Sequence, residues 1–124
     1  MRGRHGWILA WTLCGALAAT SARAQDAAAA DLRCFVVALN AAASDDSTQK
    51  AAGTMMAVYY MGRLDGGTPN LDLKTRLVEE IRKMTPERFK AEAMRCGADM
   101  TARASAMADL AGVLATQGGA PPAN

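Results

Sequence analysis

Two cysteines, Cys34 and Cys96, are the side chains best suited to covalent chemistry in this chain of 124 residues. They lie 62 positions apart, whereas redox-active pairs are usually close in sequence, as in Cys-x-x-Cys. An even pair in an exported protein forms a disulfide as a rule. We therefore predict a structural disulfide, with a redox-active thiol pair as the alternative. Closing a loop of this length would stabilise the fold by about 4 kcal/mol.

Histidine chemistry is confined to one residue, His5, which lies in the N-terminal segment that we expect to be removed. Without it the chain has no Ser-His or Cys-His pair for nucleophilic catalysis. It also lacks imidazole ligands. Cys14 would be removed with the same segment, and the two cysteines that remain do not make a tetrahedral zinc site. We predict no catalytic residue, no metal site and no cofactor, and hence a protein that is not an enzyme.

The string from Tyr59 to Gly66, Tyr-Tyr-Met-Gly-Arg-Leu-Asp-Gly, is the most distinctive in the sequence. Tyr59, Tyr60, Arg63 and Asp65 would form a candidate binding edge with polar tips, a guanidinium and a carboxylate. A structural role is the favoured alternative. In that case the tyrosines belong to the core and its rim, Arg63 pairs with an acid, and Asp65 precedes a helix end.

Methionine and paired carboxylates offer weaker candidates. Seven methionines follow Met1; Met-rich surfaces can bind partners adaptably, but methionine at helical spacing favours the core. The pairs Asp45-Asp46 and Glu79-Glu80 resemble acid/base carboxylates. Adjacent residues on a helix point apart, so we predict solvated side chains there.

The N terminus predicts export. A basic start is followed by an uncharged run, residues 6–19, and by Ala22-Arg23-Ala24, which is typical of a signal peptide covering residues 1–24. We expect export by the general secretory route to the periplasm or beyond. The uncharged run is shorter than the roughly 20 residues that span a bilayer, so the mature chain, residues 25–124, is expected to have no membrane span.

Removal of that segment changes the charge balance. Three of the 14 Lys and Arg residues lie within it, while all 12 Asp and Glu residues follow it. The formal charge therefore changes from +2 to −1. The basic character belongs to the export signal, and we predict no binding to nucleic acid.

The periodicity of the mature chain predicts an all-α fold, a small bundle of about four helices in residues 25–116, followed by a disordered tail, residues 117–124. The first helix is predicted over 28–42 and the second over 47–65. Asp46 would cap the second helix, with Gln49 completing a capping box. The third is predicted to begin at 68–70 and to end near 84. Thr85 followed by Pro86 indicates the start of the fourth.

Apolar patterning predicts how these helices pack. From Ala51 to Met61 the second helix has no charged residue, which predicts that neighbours cover it on nearly every side. The third would bury one stripe (Leu73, Leu77, Ile81, Met84), and so would the fourth (Phe89, Ala93, Cys96, Met100, Met107, Leu110, Leu114). Gly97 would bend or split the fourth helix, or simply allow close contact beside the disulfide.

Short strings around the cysteines resemble a group of small exported proteobacterial proteins. They are Leu32-Arg33-Cys34, the Tyr-Tyr-x-Gly-Arg-x-Asp-Gly string and Arg95-Cys96-Gly97. The layout is also similar to that of the Hde-type periplasmic acid-stress chaperones, in which one disulfide joins an early helix to a late one. This resemblance implies binding of unfolded clients at low pH.

These observations predict a non-enzymatic periplasmic protein-binding module that acts as a chaperone in envelope or acid stress. The alternative is an inhibitor or immunity-type partner of one specific periplasmic protein. The expected partners are unfolded clients in the first case and one folded protein in the second.

Overall fold

The computed structural model describes residues 14–118 of the chain, with side chains from residue 23 onward. It contains four α-helices and, within those residues, no strand. They are α1 (Cys14–Ala42), α2 (Ser47–Gly67), α3 (Leu73–Arg82) and α4 (Pro86–Thr116). The predicted all-α class and the number of helices are confirmed.

The chain divides into two compact units, one ending at Lys83 with α1, α2 and α3, and one beginning at Met84 with α4. Cys34 of α1 and Cys96 of α4 are joined by the predicted disulfide. The helix α1 begins well before residue 28 and passes through the predicted cleavage position after Ala24. Residues 1–13 and 119–124, which hold the start of the predicted signal peptide and most of the predicted tail, lie outside the described residues.

The core of the first unit forms where α1 packs against α2. Leu32, Phe35 and Ala38 of α1 are buried, as are Tyr60 and Leu64 of α2. These positions recur every three or four residues, as expected for one buried face on each helix. Among the described residues, the other buried apolar side chains are those of Val37 and the two disulfide cysteines.

Close approach of α1 and α2 depends on Gly53. A Cβ built there would lie 2.6 Å from the carbonyl carbon of Ala41 and still closer to the backbone nitrogen of Ala42. Any side chain would therefore push the two backbones apart. Gly53 therefore lets the two helices approach closely, whereas nothing lies within 4 Å of the corresponding position at Gly62.

Side-chain caps fix the helix starts. Asp46 accepts from the Gln49 backbone N–H at 2.7 Å, and Thr85 accepts from the Arg88 N–H at 3.2 Å. The capping box is only half formed, because the Gln49 side chain accepts from the Ser44 hydroxyl at 3.0 Å, and the same hydroxyl accepts from the Asp46 N–H at 3.2 Å. The helix α3 begins later than predicted, because Asp72 is its cap.

The prediction that α2 is covered on nearly every side is wrong. Met55 and Val58 are each 69% exposed. Of the elements in its unit, α1 packs against α2 and also against α3, so α2 has one buried face. Its uncharged sequence therefore leaves an apolar outer surface.

Two predictions for α3 are wrong in part: Ile81 of the predicted apolar stripe is not buried, and Glu80 of the predicted solvated pair is not exposed. In α3 the buried residue is Glu80, 5% exposed, while Ile81 is 50% exposed. The burial of Glu80 is explained by its charge partners, since its carboxylate lies 3.8 Å from Arg33 and 3.3 Å from Lys83. A carboxylate can be buried when it is paired. Glu79, in contrast, forms an ion pair with Arg76 at 2.9 Å that is more than 40% exposed on both sides.

The helix α4 is continuous through Gly97. Cys96 is fully buried, and Phe89, Ala93 and Met100 are half-buried. The predicted stripe is not buried beyond that point, because every residue from 101 to 118 is exposed. Met107 and Met94 are 70% and 71% exposed, so the prediction that the methionines belong to the core is wrong for these two, as it is for Met55.

Candidate functional site

Arg63 is the centre of the polar cluster at the C-terminal end of α2. Its Nε donates to Oδ2 of Asp31 at 3.0 Å, and its Nη2 lies 3.0 Å from Oδ1 of the same carboxylate. Its Nη1 donates to the Tyr59 hydroxyl oxygen at 3.2 Å. The guanidinium therefore binds one carboxylate through two nitrogens, which is the strong form of an ion pair.

The rings of Tyr59 and Tyr60 lie next to the Arg63 guanidinium. Their ring centroids are 4.9 Å apart in an edge-to-face arrangement, at an interplanar angle of 72°. The Arg63 Cζ lies 5.7 Å from the Tyr59 centroid and 5.8 Å from that of Tyr60, within the range of a cation–π contact. Tyr60 is 1% exposed, so the cluster is anchored in the core.

The electrostatics of the cluster favour the charged form of Arg63. Its hydrogen bond with Tyr59 raises the pKa of Arg63, and the nearby Asp31 carboxylate raises it further, while partial burial acts in the opposite direction. The guanidinium is therefore a permanent cation that holds Asp31 in place.

Three of the four residues of the candidate binding edge are thus brought together, namely Tyr59, Tyr60 and Arg63. Asp65 is exposed, and α2 continues past it to Gly67. The role of the candidate edge in binding stays a prediction. The contacts of its members are those of a structural tie between α1 and α2.

Asp31 completes the cluster and was not predicted from the sequence to belong to it; it is 8% exposed. The signal was available in α1. Asp31 lies at helical spacing from Phe35 and Ala38, so its side chain belongs to the apolar face. An acid on an apolar face requires a cation, and Arg63 is that cation.

Two clefts flank α2 on the α1 side. One, of about 170 Å³, is lined by Asp31, Arg63 and Leu64 together with small residues, including Ala24 and Ala28. The other, about 280 Å³, is an apolar groove lined by Phe35, Leu39, Ala57, Val58 and Met61. We call the second one the α1/α2 groove.

The C-terminal half of α4 presents four of the five large apolar side chains that are exposed in the described part of the second unit. We define the α4 surface as Met107, Leu110, Val113 and Leu114, whose exposed fractions are 70%, 66%, 55% and 62%. Between residues 101 and 116 the only charged residues are Arg103 and Asp109. Large exposed apolar patches in a folded protein mark interaction sites.

No group of three or more His, Cys, Asp or Glu side chains in residues 23–118 could hold a metal ion. None of the helices described between residues 14 and 118 is long and apolar enough to cross a membrane. Comparison of the chain with protein-family models, with curated proteins and with solved structures finds no match.

Proposed function

We propose that this chain is a non-enzymatic protein-binding module, exported by the general secretory route, whose α4 surface binds apolar segments of unfolded proteins. One observation carries the proposal, namely the exposure of Met107, Leu110, Val113 and Leu114 on a helix with few charges. Burial of each such side chain by a bound client would gain about 1.5–3 kcal/mol when complete.

The composition of the α4 surface suits varied clients. Methionine is unbranched and polarisable, so Met107 can adapt to side chains of different shape. Binding surfaces that repack in this way are typical of proteins with many partners. This property favours the chaperone hypothesis over an inhibitor or immunity-type partner of one protein.

The charge balance links this binding to acid stress. The mature chain has 12 acids and 11 bases, and free carboxyl groups titrate near pH 4. In strong acid the mature chain would therefore carry a large positive charge, and self-repulsion would oppose its compact state. The Cys34–Cys96 disulfide would keep the loosened helices connected while more apolar surface meets clients.

The test is suppression of the aggregation of an acid-unfolded model protein by mature protein in several-fold molar excess, at pH 2–3 and at pH 7. We compare the parent with Met107→Gln/Leu110→Gln. Glutamine has a helix propensity close to those of methionine and leucine, so α4 is retained while its apolar surface is removed. Thr101→Gln/Ser105→Gln is the matched control, since these exposed residues lie away from the Met107–Leu110 side of α4.

We expect the parent and the control to protect the client in acid, and the Met107/Leu110 variant to lose most of that protection. If the parent protects no client at either pH, the chaperone proposal is wrong. Affinity capture from a periplasmic extract then separates the alternatives, because an inhibitor would retain one tight partner at neutral pH.

A further inference from the structure

The outer side of α2 has a pattern that the proposed function does not use. Lys50, Thr54, Val58, Met61 and Asp65 follow one another at spacings of four, four, three and four, so they share one side of the helix. We call this stripe the α2 face. Met61 is half-buried and the other four residues are exposed, Val58 by 69%.

Opposite charges stand at the two ends of the α2 face. Lys50 lies at its start and Asp65 at its end, 15 positions later, and residues 51–62 between them carry no charge. Fifteen residues of helix correspond to about 22 Å. A partner that complements this surface must therefore offer an acid and a base about 22 Å apart with an apolar stretch between them.

A second copy of α2 in antiparallel orientation meets this requirement. Related by a two-fold axis, Lys50 of each copy lies level with Asp65 of the other, so both charged ends are paired at once. A parallel arrangement would instead place like charges together. A two-fold interface uses the same patch on both copies, and here that patch is complementary to itself.

The apolar middle of the α2 face fits the same arrangement. The midpoint between Lys50 and Asp65 falls next to Val58, which would pack against its own copy near the axis. The α1/α2 groove, lined by Phe35, Leu39, Ala57, Val58 and Met61, would accept apolar side chains of the second helix.

The polar residue within the stripe does not oppose its burial. The Thr54 hydroxyl donates to the Lys50 carbonyl oxygen at 2.9 Å. Its hydrogen is therefore used within the helix, and removal of water from the α2 face leaves no unpaired donor at Thr54.

We propose that the mature protein forms a homodimer through antiparallel pairing of the α2 faces, in which α1 and α2 of each copy make a four-helix contact. The dimer uses the α2 face, whereas the proposed binding of clients uses the α4 surface. The inference is thus independent of the proposed binding of clients.

The experiment is sedimentation equilibrium of the full mature chain over a concentration series at neutral pH and low salt. We expect a reversible monomer–dimer equilibrium in the parent. Val58→Glu places two like charges near the axis and should abolish the dimer. Val78→Glu, the same change at an exposed position of α3, is the matched control and should leave the dimer unchanged. Circular dichroism of each variant checks that the helices are retained.

Charge reversal tests the orientation. Lys50→Glu or Asp65→Lys alone replaces two attractive pairs by two repulsive ones, so each should raise the dimer Kd about tenfold. The double variant Lys50→Glu/Asp65→Lys restores opposite charges and should return the Kd close to the parent value. A parent that stays monomeric throughout the series would overturn the proposal. A dimer whose Kd is unchanged by Val58→Glu and by the charge reversals would also overturn it.

Discussion

The side chain of Arg63 explains how an acid comes to lie in the core. Asp31 is 8% exposed, and an unpaired carboxylate at that position would be costly to dehydrate. The two-nitrogen contact from Arg63 supplies the missing charge, and Tyr59 supplies one more hydrogen-bond partner for the guanidinium. Loss of Arg63 should therefore lower the free energy of unfolding more than loss of an exposed arginine would.

Arg63→Ala should lower the free energy of unfolding by about 1–3 kcal/mol, because it leaves the Asp31 carboxylate without its main partner. Arg76→Ala is the matched control, since Arg76 pairs with Glu79 at 2.9 Å but both side chains are more than 40% exposed. That change should cost under about 1 kcal/mol. Urea unfolding of both variants gives the comparison, and equal losses would contradict the structural role of Arg63.

The carboxylate of Asp72 should contribute to the loss of stability of the protein in acid. The Thr75 hydroxyl and backbone N–H donate to Asp72 at 2.8 and 3.1 Å, and these bonds lower the pKa of Asp72 below its ordinary value of 3.8. The unfolded chain therefore binds the proton more readily than the folded one. The stability from this cap is fully present above pH 3.8 and is lost as the pH falls through the lowered pKa.

Asp72→Asn keeps a capping acceptor but cannot titrate, so its unfolding free energy should fall less steeply with pH than that of the parent below about pH 4. Thr75→Val removes the larger cause of the lowered pKa and should give an intermediate slope. The measurement is urea unfolding at a series of pH values. Three parallel pH profiles would show that Asp72 makes no such contribution.

At the scale of elements, local signals in the sequence were sufficient to predict the helices but not to predict how the helices pack. Asp46 and Thr85 could be recognised as caps because a cap acts within three residues of itself. The outward side of α2 could not be recognised, because an uncharged helix does not show which side lacks a neighbour. The burial of Glu80 was missed for a related reason, because Arg33, one of its two charge partners, lies far away in sequence. The spacing within α1 places Asp31 on the buried face, but the sequence does not show that Arg63 is its partner.

The contact of α1 with α2 leads to a prediction for Gly53. Gly53→Ala should destabilise the protein by about 1–3 kcal/mol or more, because the added Cβ would overlap backbone atoms of Ala41 and Ala42 rather than a flexible side chain. Gly97→Ala is the control, as nothing lies within 4 Å of that position in α4.

Alanine at Gly97 should stabilise α4 by about 0.5–1 kcal/mol, since glycine is unfavourable inside a helix. Thermal unfolding of the two variants should therefore move in opposite directions. A Gly53→Ala protein as stable as the parent would mean that the two helices do not approach as closely as described.

At the scale of the whole molecule, the disulfide is a covalent cross-link between the two units in addition to the peptide chain. Each unit is small, and α4 is the one helix among the described residues of its unit, 84–118. Most of the stability of a helix in a protein comes from the packing of its apolar face against other elements. The disulfide between Cys34 and Cys96 restricts the conformations of the unfolded chain and so lowers its entropy. Its contribution to the free energy of unfolding should therefore be large relative to the total for a chain of this length.

Replacement of both cysteines by alanine should lower the free energy of unfolding by about 4 kcal/mol, because the bond closes a loop of about 60 residues in the unfolded state. Reduction of the parent should cause a loss of similar size, and this separates the effect of the bond from that of the substitutions. Both are measured by urea unfolding, with thiol titration of freshly isolated protein as the check on the redox state. Two titratable thiols in that material, or a urea midpoint unchanged by reduction, would contradict the role of the disulfide in holding α4 to the rest of the chain.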